Sequence, residues 1–474
     1  MRKVTLLILA VLLASCAMGP DYERPETSPP DRFRMAGEAG AQESIANLPW
    51  WELLKDPELQ RLIRIALDEN KDLKRAAAVV EEYEARLYAA RTDFAPQVNV
   101  VGNAPAFGRK TNFPVSQFNG FPNIFSYYGY GQLSWEIDIW GRVRRSNEAA
   151  WDDLLAREES QRAVVLELVS NVSQAYFDLL QFDMQLDTAK STLSAWEESV
   201  RIAQARLRQG VISKLDADQF DAQRANALAR IAELKRQQAQ TENRLSVLLG
   251  RNPQTITRGR SLTEQVIPPE VPPGLPSELL QRRPDVVQVE QQLAAATARV
   301  GVAKAQRFPM ISLTGALGLA SGALNNLVTN EATFGVAGAG LTAPLVNANV
   351  LGFNQKAFEA QAKQALAEYE QKILVAFREV EDALIAVSTS RDQRKALVEQ
   401  VDATKSALHL ANIRYKGGLA NYLDVLVAQR ELFDAELALI GTHRLYLVSV
   451  VQLYKALGGG WSPEMDPQPM KKEG

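Results

Sequence analysis

Two stretches of the chain carry an apolar repeat at alternating three- and four-residue spacing. The first is Val165, Leu168, Val172, Ala175, Leu179, Phe182, Leu186, Ala189, Leu193, Trp196, Val200, Ala203 and Leu207. The second runs Ile373, Ala376, Val380, Ala383, Val387, then Leu397, Val401, Leu408, Ala411 and Tyr415, with Ser390 and Arg394 interrupting it midway. No Gly or Pro falls between Arg142 and Gln209, or between Phe353 and Lys416. A seven-residue period held that long predicts two helices of about 65 residues, roughly 100 Å each, packed as left-handed coiled coils. Charged residues are spread among the apolar ones, so these helices face water. Beyond Leu13 no apolar run of about 18 residues marks a membrane-spanning helix.

A different period precedes each long helix. Phe125, Tyr127, Gly129, Gly131, Leu133, Trp135, Ile137 and Ile139 alternate with Ser126, Tyr128, Tyr130, Gln132, Ser134, Glu136 and Asp138. That is a period-two strand pattern, with one apolar and one polar face. Its length suits a membrane β-strand, although a soluble hairpin packed on helices has the same pattern. Val98, Val100 and Gly102 begin a similar strand. Ile311, Leu313, Gly315 and Leu317 alternate with Ser312, Thr314 and Ala316. A fourth strand near Thr333 to Thr342 is rich in Gly and Ala, and its faces cannot be assigned from sequence. Tyr127, Trp135 and Trp140 suit an interfacial aromatic belt. Four strands cannot close a barrel, and an open edge is not tolerated in lipid. If the strands enter a membrane, other copies of the chain must complete the sheet.

The chain is written twice. Asp72, Pro96 and Gly102 recur as Asp285, Pro309 and Gly315 at an offset of 213. Gly210 to Asp216 parallels Gly418 to Asp424 at an offset of 208, which also carries Leu249-Gly250 onto Leu457-Gly458. The reading is mixed α and β with an internal two-fold repeat. Residues 16–266 form the first repeat: helix 55–94, strands about 97–140, long helix 142–209 and return helix 214–250. A Pro-rich linker covers 267–276. Residues 277–460 form the second: helix 285–307, strands about 310–343, long helix 353–416 and return helix 422–457. A tail covers 461–474. Asp56 as N-cap and Pro57 at the first helical position start the helix that reaches to about Phe94.

Composition narrows the function. The 474 residues carry a formal net charge of -3, so nothing points to nucleic acid. One Cys excludes an internal disulfide, and two His make a histidine-built metal site a poor fit. His409 and His443 read as helix-surface residues. No catalytic constellation, cofactor-binding motif or metal-ligand spacing stands out, so an enzyme is not expected. Arg2 and Lys3 precede an apolar run from Val4 to Leu13, too short to span a bilayer, as in a secretory signal over residues 1–15. Leu13-Ala14-Ser15-Cys16 resembles a bacterial lipoprotein cleavage site. The sole Cys16 is then the lipid anchor; an ordinary signal with Cys16 there by chance is the alternative.

Several motifs together resemble one family. They are Leu13-Ala14-Ser15-Cys16 with Gly19-Pro20-Asp21-Tyr22-Glu23-Arg24-Pro25, Trp135-Glu136-Ile137-Asp138-Ile139-Trp140-Gly141-Arg142, Leu280-Gln281-Arg282-Arg283-Pro284-Asp285, and Tyr454-Lys455-Ala456-Leu457-Gly458-Gly459-Gly460-Trp461. In order and over nearly the whole mature chain, they are similar to the OprM- or NodT-type lipoprotein branch of the TolC-like outer-membrane efflux proteins. The resemblance implies a homotrimer with an outer-membrane β-barrel, four strands per chain, continuous with a long periplasmic α-helical barrel. It implies a periplasmic adaptor protein and an inner-membrane transporter of the proton-driven RND type as partners. The function implied is a passive exit duct for drugs or other small toxic compounds. A duct for type I protein secretion or metal-ion efflux is the alternative within the class, and an elongated structural periplasmic lipoprotein the alternative outside it.

The resemblance also places a gate at the two helix-to-helix turns. Asp424 stands at a position similar to an acidic pore position of the family, and Asp216 is its repeat partner. Three copies of Asp424 near an axis would form a negative ring. Ser213 to Asp216 and Asn421 to Asp424 equally read as capping boxes opening the return helices. Val427 stands where TolC itself has a second acid. Tyr415 matches a latch tyrosine, but Ala420 occupies the position of its arginine partner, so that partner is expected to be missing. Apolar constriction by Leu423 and Val427 is then expected to close the pore.

Overall fold

The computed structural model describes residues 17–27, 29–35, 45–47, 49–104, 127–266, 276–345 and 348–459. The signal segment, Cys16, Phe125, Ser126, linker residues 267–275 and the tail 461–474 lie outside the described residues. The main elements are α1 (Pro57–Glu69), α2 (Lys71–Arg91), β1 (Gln97–Asn103), β2 (Tyr127–Ile137), α3 (Arg142–Arg208) and α4 (Lys214–Leu248). They continue with α5 (Pro276–Arg282), α6 (Pro284–Ala305), β3 (Met310–Ser321), β4 (Thr333–Thr342), α7 (Ala348–Lys416) and α8 (Tyr422–Ala456).

The chain divides into two compact units that are not the two sequence repeats. One takes Met1–Glu26, Val79–Glu158 and Gln288–Glu370; the other takes Thr27–Ala78, Glu159–Val287 and Gln371–Gly474. Each unit draws on both repeats, because elements of one repeat pair with elements of the other: β2 hydrogen-bonds directly to β3.

In the first unit, the strands form one antiparallel sheet in the order β1-β2-β3-β4. The register sets Val98 opposite Leu133, Leu133 opposite Gly315 and Gly315 opposite Ala337. The apolar sets of β1, β2 and β3 therefore share one face. Register also assigns the faces of β4: Gly335, Ala337, Ala339 and Leu341 join that side, while Phe334 lies with Gly318 and Tyr130 on the other. The helix-side end of the sheet is pinned by two indoles. Trp135 Nε1 donates to Phe94 O at 3.0 Å, and Trp140 Nε1 donates to Pro309 O at 2.8 Å while its ring stacks on Phe308. The segment after Cys16 is bound to this unit as well: Met18 N donates to Trp140 O, and Arg24 pairs with Glu290 at 2.7 Å.

In the second unit, the heptad positions of α3 form the core. Val172, Ala175, Leu179 and Ala189 are fully buried, and Trp196, Val200 and Ala203 pack with Phe220, Ala227 and Leu426. The second seam is deep only in part. Ile373, Ala376 and Val380 are buried, whereas Leu397, Leu408 and Ala411 remain partly exposed. Ser390 is buried and returns its hydroxyl to Ala386 O.

Two expectations are corrected here. The helix from Asp56 does not run unbroken to Phe94. Asp56 caps it as expected, accepting from Glu58 N at 2.8 Å, but Asn70 adopts ψ 132 and turns the chain between α1 and α2. Asn70 Oδ1 accepts from Leu73 N, and Asn70 Nδ2 donates to Leu248 O at the end of α4, so one amide serves two helix ends. His443 is not a surface residue. It is 8% exposed in the α8 core, where burial and then the charge of Arg394 push its imidazole down to about 4. By length and composition α8 would also pass for a membrane span over its most apolar window. Of that window 61% is buried, which makes α8 a core helix of this unit.

Candidate functional site

The two turns joining the long and return helices are built alike. After α3, Gly210 takes φ 71, its N–H donates to Leu207 O, and Val211 N donates to Arg206 O. After α7, Gly418 takes φ 71, its N–H donates to Tyr415 O, and Leu419 N donates to Arg414 O. This pair of bonds satisfies carbonyls at the helix end and needs a left-handed residue, which glycine adopts without strain. Each turn leaves apolar side chains in water: Val211 and Leu215 on one, Leu419 and Leu423 on the other.

The return helices start differently. Ser213 and Asp216 form a reciprocal capping box: Asp216 N donates to Ser213 Oγ, and Ser213 N donates to Asp216 Oδ2 at 3.0 Å. The equivalent box at Asn421 and Asp424 does not form. Asn421 makes no side-chain capping bond, and Asp424 N donates to the Asn421 carbonyl instead. The Asp424 carboxylate is therefore not engaged in a cap and lies exposed beside Leu423, with Val427 one turn on and half-buried. Asp216 lines a cavity of about 370 Å³ between the two turns; Leu423, Asp424 and Val427 do not.

An aromatic chain crosses between the helix pairs. Tyr422 lies 3.9 Å from Phe220, and Tyr415 meets Tyr422 edge-on at 4.9 Å. Burial pushes the Tyr422 phenol up to about 12, which keeps it neutral. The arginine partner of Tyr415 is not missing. Arg206, near the end of α3, holds its guanidinium 4.9 Å over the Tyr415 ring and donates from Nη1 to Tyr415 Oη. The family resemblance places that arginine within the turn after Tyr415, at Ala420. The structure supplies it from the other long helix, and the only signal in the sequence was a basic residue one turn before Gly210.

The sheet is the second candidate surface. Val98, Val100, Leu317 and Leu341 are exposed on its apolar side. Among the described residues, β1 and β4 each pair on one edge only. A family model described as outer membrane efflux protein matches residues 62–251 and 275–459. The chain belongs to the outer membrane efflux protein family. It is 37% identical over 461 residues to the solvent efflux pump outer membrane protein SrpC of Pseudomonas putida, covering 95% of this chain and 97% of that protein. It is 32% identical over 467 residues to the probable outer membrane lipoprotein SilC of Salmonella typhimurium, covering 97% of this chain and all 100% of the relative. The open state of the Neisseria gonorrhoeae MtrE outer membrane channel matches with a TM-score of 0.84 at 30% identity, covering 94% of this chain and 98% of that one. The protein is an outer-membrane efflux channel, and no metal-binding cluster occurs among the described residues of the channel.

Proposed function

We propose that this efflux channel is a homotrimer in which each chain gives four strands to one lipid-embedded barrel and its long helices to one periplasmic barrel. The observation that carries this is that, among the described residues, β1 and β4 each leave one edge unpaired in a sheet with an exposed apolar side. Unpaired backbone N–H and C=O groups cost several kcal/mol each in hydrocarbon. The β4 edge of one copy pairing with the β1 edge of the next removes them all. Light scattering of the detergent-solubilised protein tests this, together with disulfide cross-linking of cysteines placed on β1 and β4. A monomer, or no cross-link between copies, overturns it.

Cys16 carries the lipid that holds the chain at the membrane. Acid hydrolysis and mass spectrometry of the mature N-terminus check this. The internal repeat is supported by matched contacts at the two helix breaks. Asn70 Nδ2 bonds Leu248 O, as Arg283 Nη1 bonds Ala456 O, and Gly250 and Gly458 lie against the backbone of Glu69 and Arg282.

The face bearing Leu423, Asp424 and Val427 turns to the trimer axis and narrows the duct. Asp216 is held by its cap and serves the turn. Tyr415 and Arg206 link the two helix pairs and hold the tip closed. The duct passes drugs or other small toxic compounds without chemistry. A periplasmic adaptor meets the apolar turns at Val211 and Leu419, and an RND-type inner-membrane transporter supplies the energy. The adaptor opens the tip only by binding the open form more tightly than the closed one. Leu423→Ala with Asp424→Ala tests the gate by single-channel conductance. A larger resting conductance supports it, and an unchanged one removes both residues from the constriction.

A further inference from the structure

A cluster of guanidiniums in the first unit is used by neither the sheet nor the turns. Tyr83 and Arg86 on α2, Asp153 and Arg157 on α3, and Gln292 and Arg299 on α6 line a cavity of about 360 Å³. Three cations face it against one carboxylate. Arg299 pairs with Asp153, and Arg86 pairs with Glu82 along its own helix. Arg157 has no carboxylate among the described residues. Its Nη2 donates to Tyr83 Oη at 3.1 Å, and its guanidinium lies 4.6 Å over the Tyr83 ring. Arg86 lies over the same ring at 5.0 Å. Arg157 Nε is buried without a hydrogen-bond partner.

A guanidinium keeps its charge at any pH the cell reaches, so it cannot escape burial by losing a proton. Its unpartnered donor and the repulsion between neighbouring cations are relieved together by an acceptor with several lone pairs and negative charge. We propose that this cavity is an oxyanion site that takes a phosphate group, with Arg157 as the central fork, Arg86 and Arg299 flanking it, and Tyr83 holding Arg157 in place. Phosphate fits because it offers separate oxygens to separate guanidiniums, which a single carboxylate does less well. The group is either free inorganic phosphate or the headgroup phosphate of a lipid. Only the lipid source rests on the membrane-channel reading; free phosphate binding does not.

The test uses the full-length lipidated protein. Calorimetry at low salt titrates inorganic phosphate into the detergent-solubilised channel. Native mass spectrometry counts phosphatidylglycerol retained after extraction from nanodiscs. Loss of one charge-assisted fork weakens phosphate binding about ten-fold or more in Arg157→Gln, and less in Arg157→Lys, which keeps the charge but not the fork. If the source is lipid, retained phosphatidylglycerol falls in Arg157→Gln instead. Either loss supports the site and names its source. Circular dichroism checks that the variants fold; should Arg157→Gln not fold, Tyr83→Phe is expected to weaken the same binding by freeing Arg157. Absence of binding to both probes, or binding that neither substitution changes, overturns the proposal.

Discussion

Tyr415 shows how one side chain can be legible while its role is not. Its ring and hydroxyl are both engaged by Arg206, 209 positions earlier in the chain. A cation–π contact contributes roughly 0.5–2 kcal/mol. Arg206→Ala is therefore expected to shift the ratio of open to closed tips by roughly 2- to 30-fold, read as more frequent openings in planar bilayers. Tyr415→Phe keeps the ring and loses the hydroxyl, so an intermediate effect is expected. His443 gives a pH prediction at the same scale. Its folded value of about 4 lies below the unfolded 6.5, so the unfolded chain takes the proton first as pH falls. Its contribution is intact above about 6.5 and is lost progressively towards 4. Melting temperature should drop across that window, and His443→Gln should flatten the drop; equal slopes in both proteins would exclude His443 as the cause. Asp285 acts lower on the scale. Burial alone would raise its carboxyl, but hydrogen bonds and charge from Arg283 and then Lys372 hold it at about 2. Its contribution is lost only as pH falls from 3.8 through 2, so the two groups titrate in separate windows.

The helix ends differ where the sequence looks the same. Ser213 accepts from Asp216 N, whereas Asn421 caps nothing with its side chain. Loss of an N-cap typically costs about 1 kcal/mol. Ser213→Ala should lower stability by about that much and Asn421→Ala by little, measured by thermal unfolding in detergent. Similar losses in both would mean that the second cap forms in solution. The C-terminal ends of α4 and α8 are more demanding. Gly458 has φ 70, and a Cβ there would stand 2.8 Å from the Arg282 carbonyl oxygen. A left-handed non-glycine residue costs about 1–3 kcal/mol before any clash. Gly458→Ala should therefore destabilise by at least that amount, and a neutral result would show that the backbone can move away.

At the scale of the whole molecule, the sheet and the helices pose separate problems. The seam of α3 is closed within one chain around Trp196 and Leu234, while among the described residues the sheet keeps two free edges. In the proposed trimer, membrane entry depends on association to cover those edges. Val100 is 87% exposed on the apolar side of β1. Val100→Arg should cost about 2–4 kcal/mol if that side meets the bilayer centre. The expected result is protein that keeps its helix content but fails to form trimers or fractionate with the outer membrane. Normal assembly of this variant would mean that Val100 faces water.

Local pattern was enough to read the long helices, the alternating strands and the glycine turns, because heptad spacing, period-two alternation and positive-φ glycine act between residues a few positions apart. The sequence by itself determined that this chain builds coiled coils and two-faced strands, and its motifs located it in an efflux family. Tertiary structure alone decided which elements share a unit, because β2 and β3 pair across the repeats. It alone assigned the faces of β4, whose Gly and Ala residues carry too little hydrophobic contrast to mark a side. It also decided the fate of single polar groups: Asn70 bridging two helix ends, His443 in the core, Arg206 on Tyr415. Asn70 and Leu248 are 178 positions apart and Arg206 and Tyr415 209, and no local period encodes such pairings.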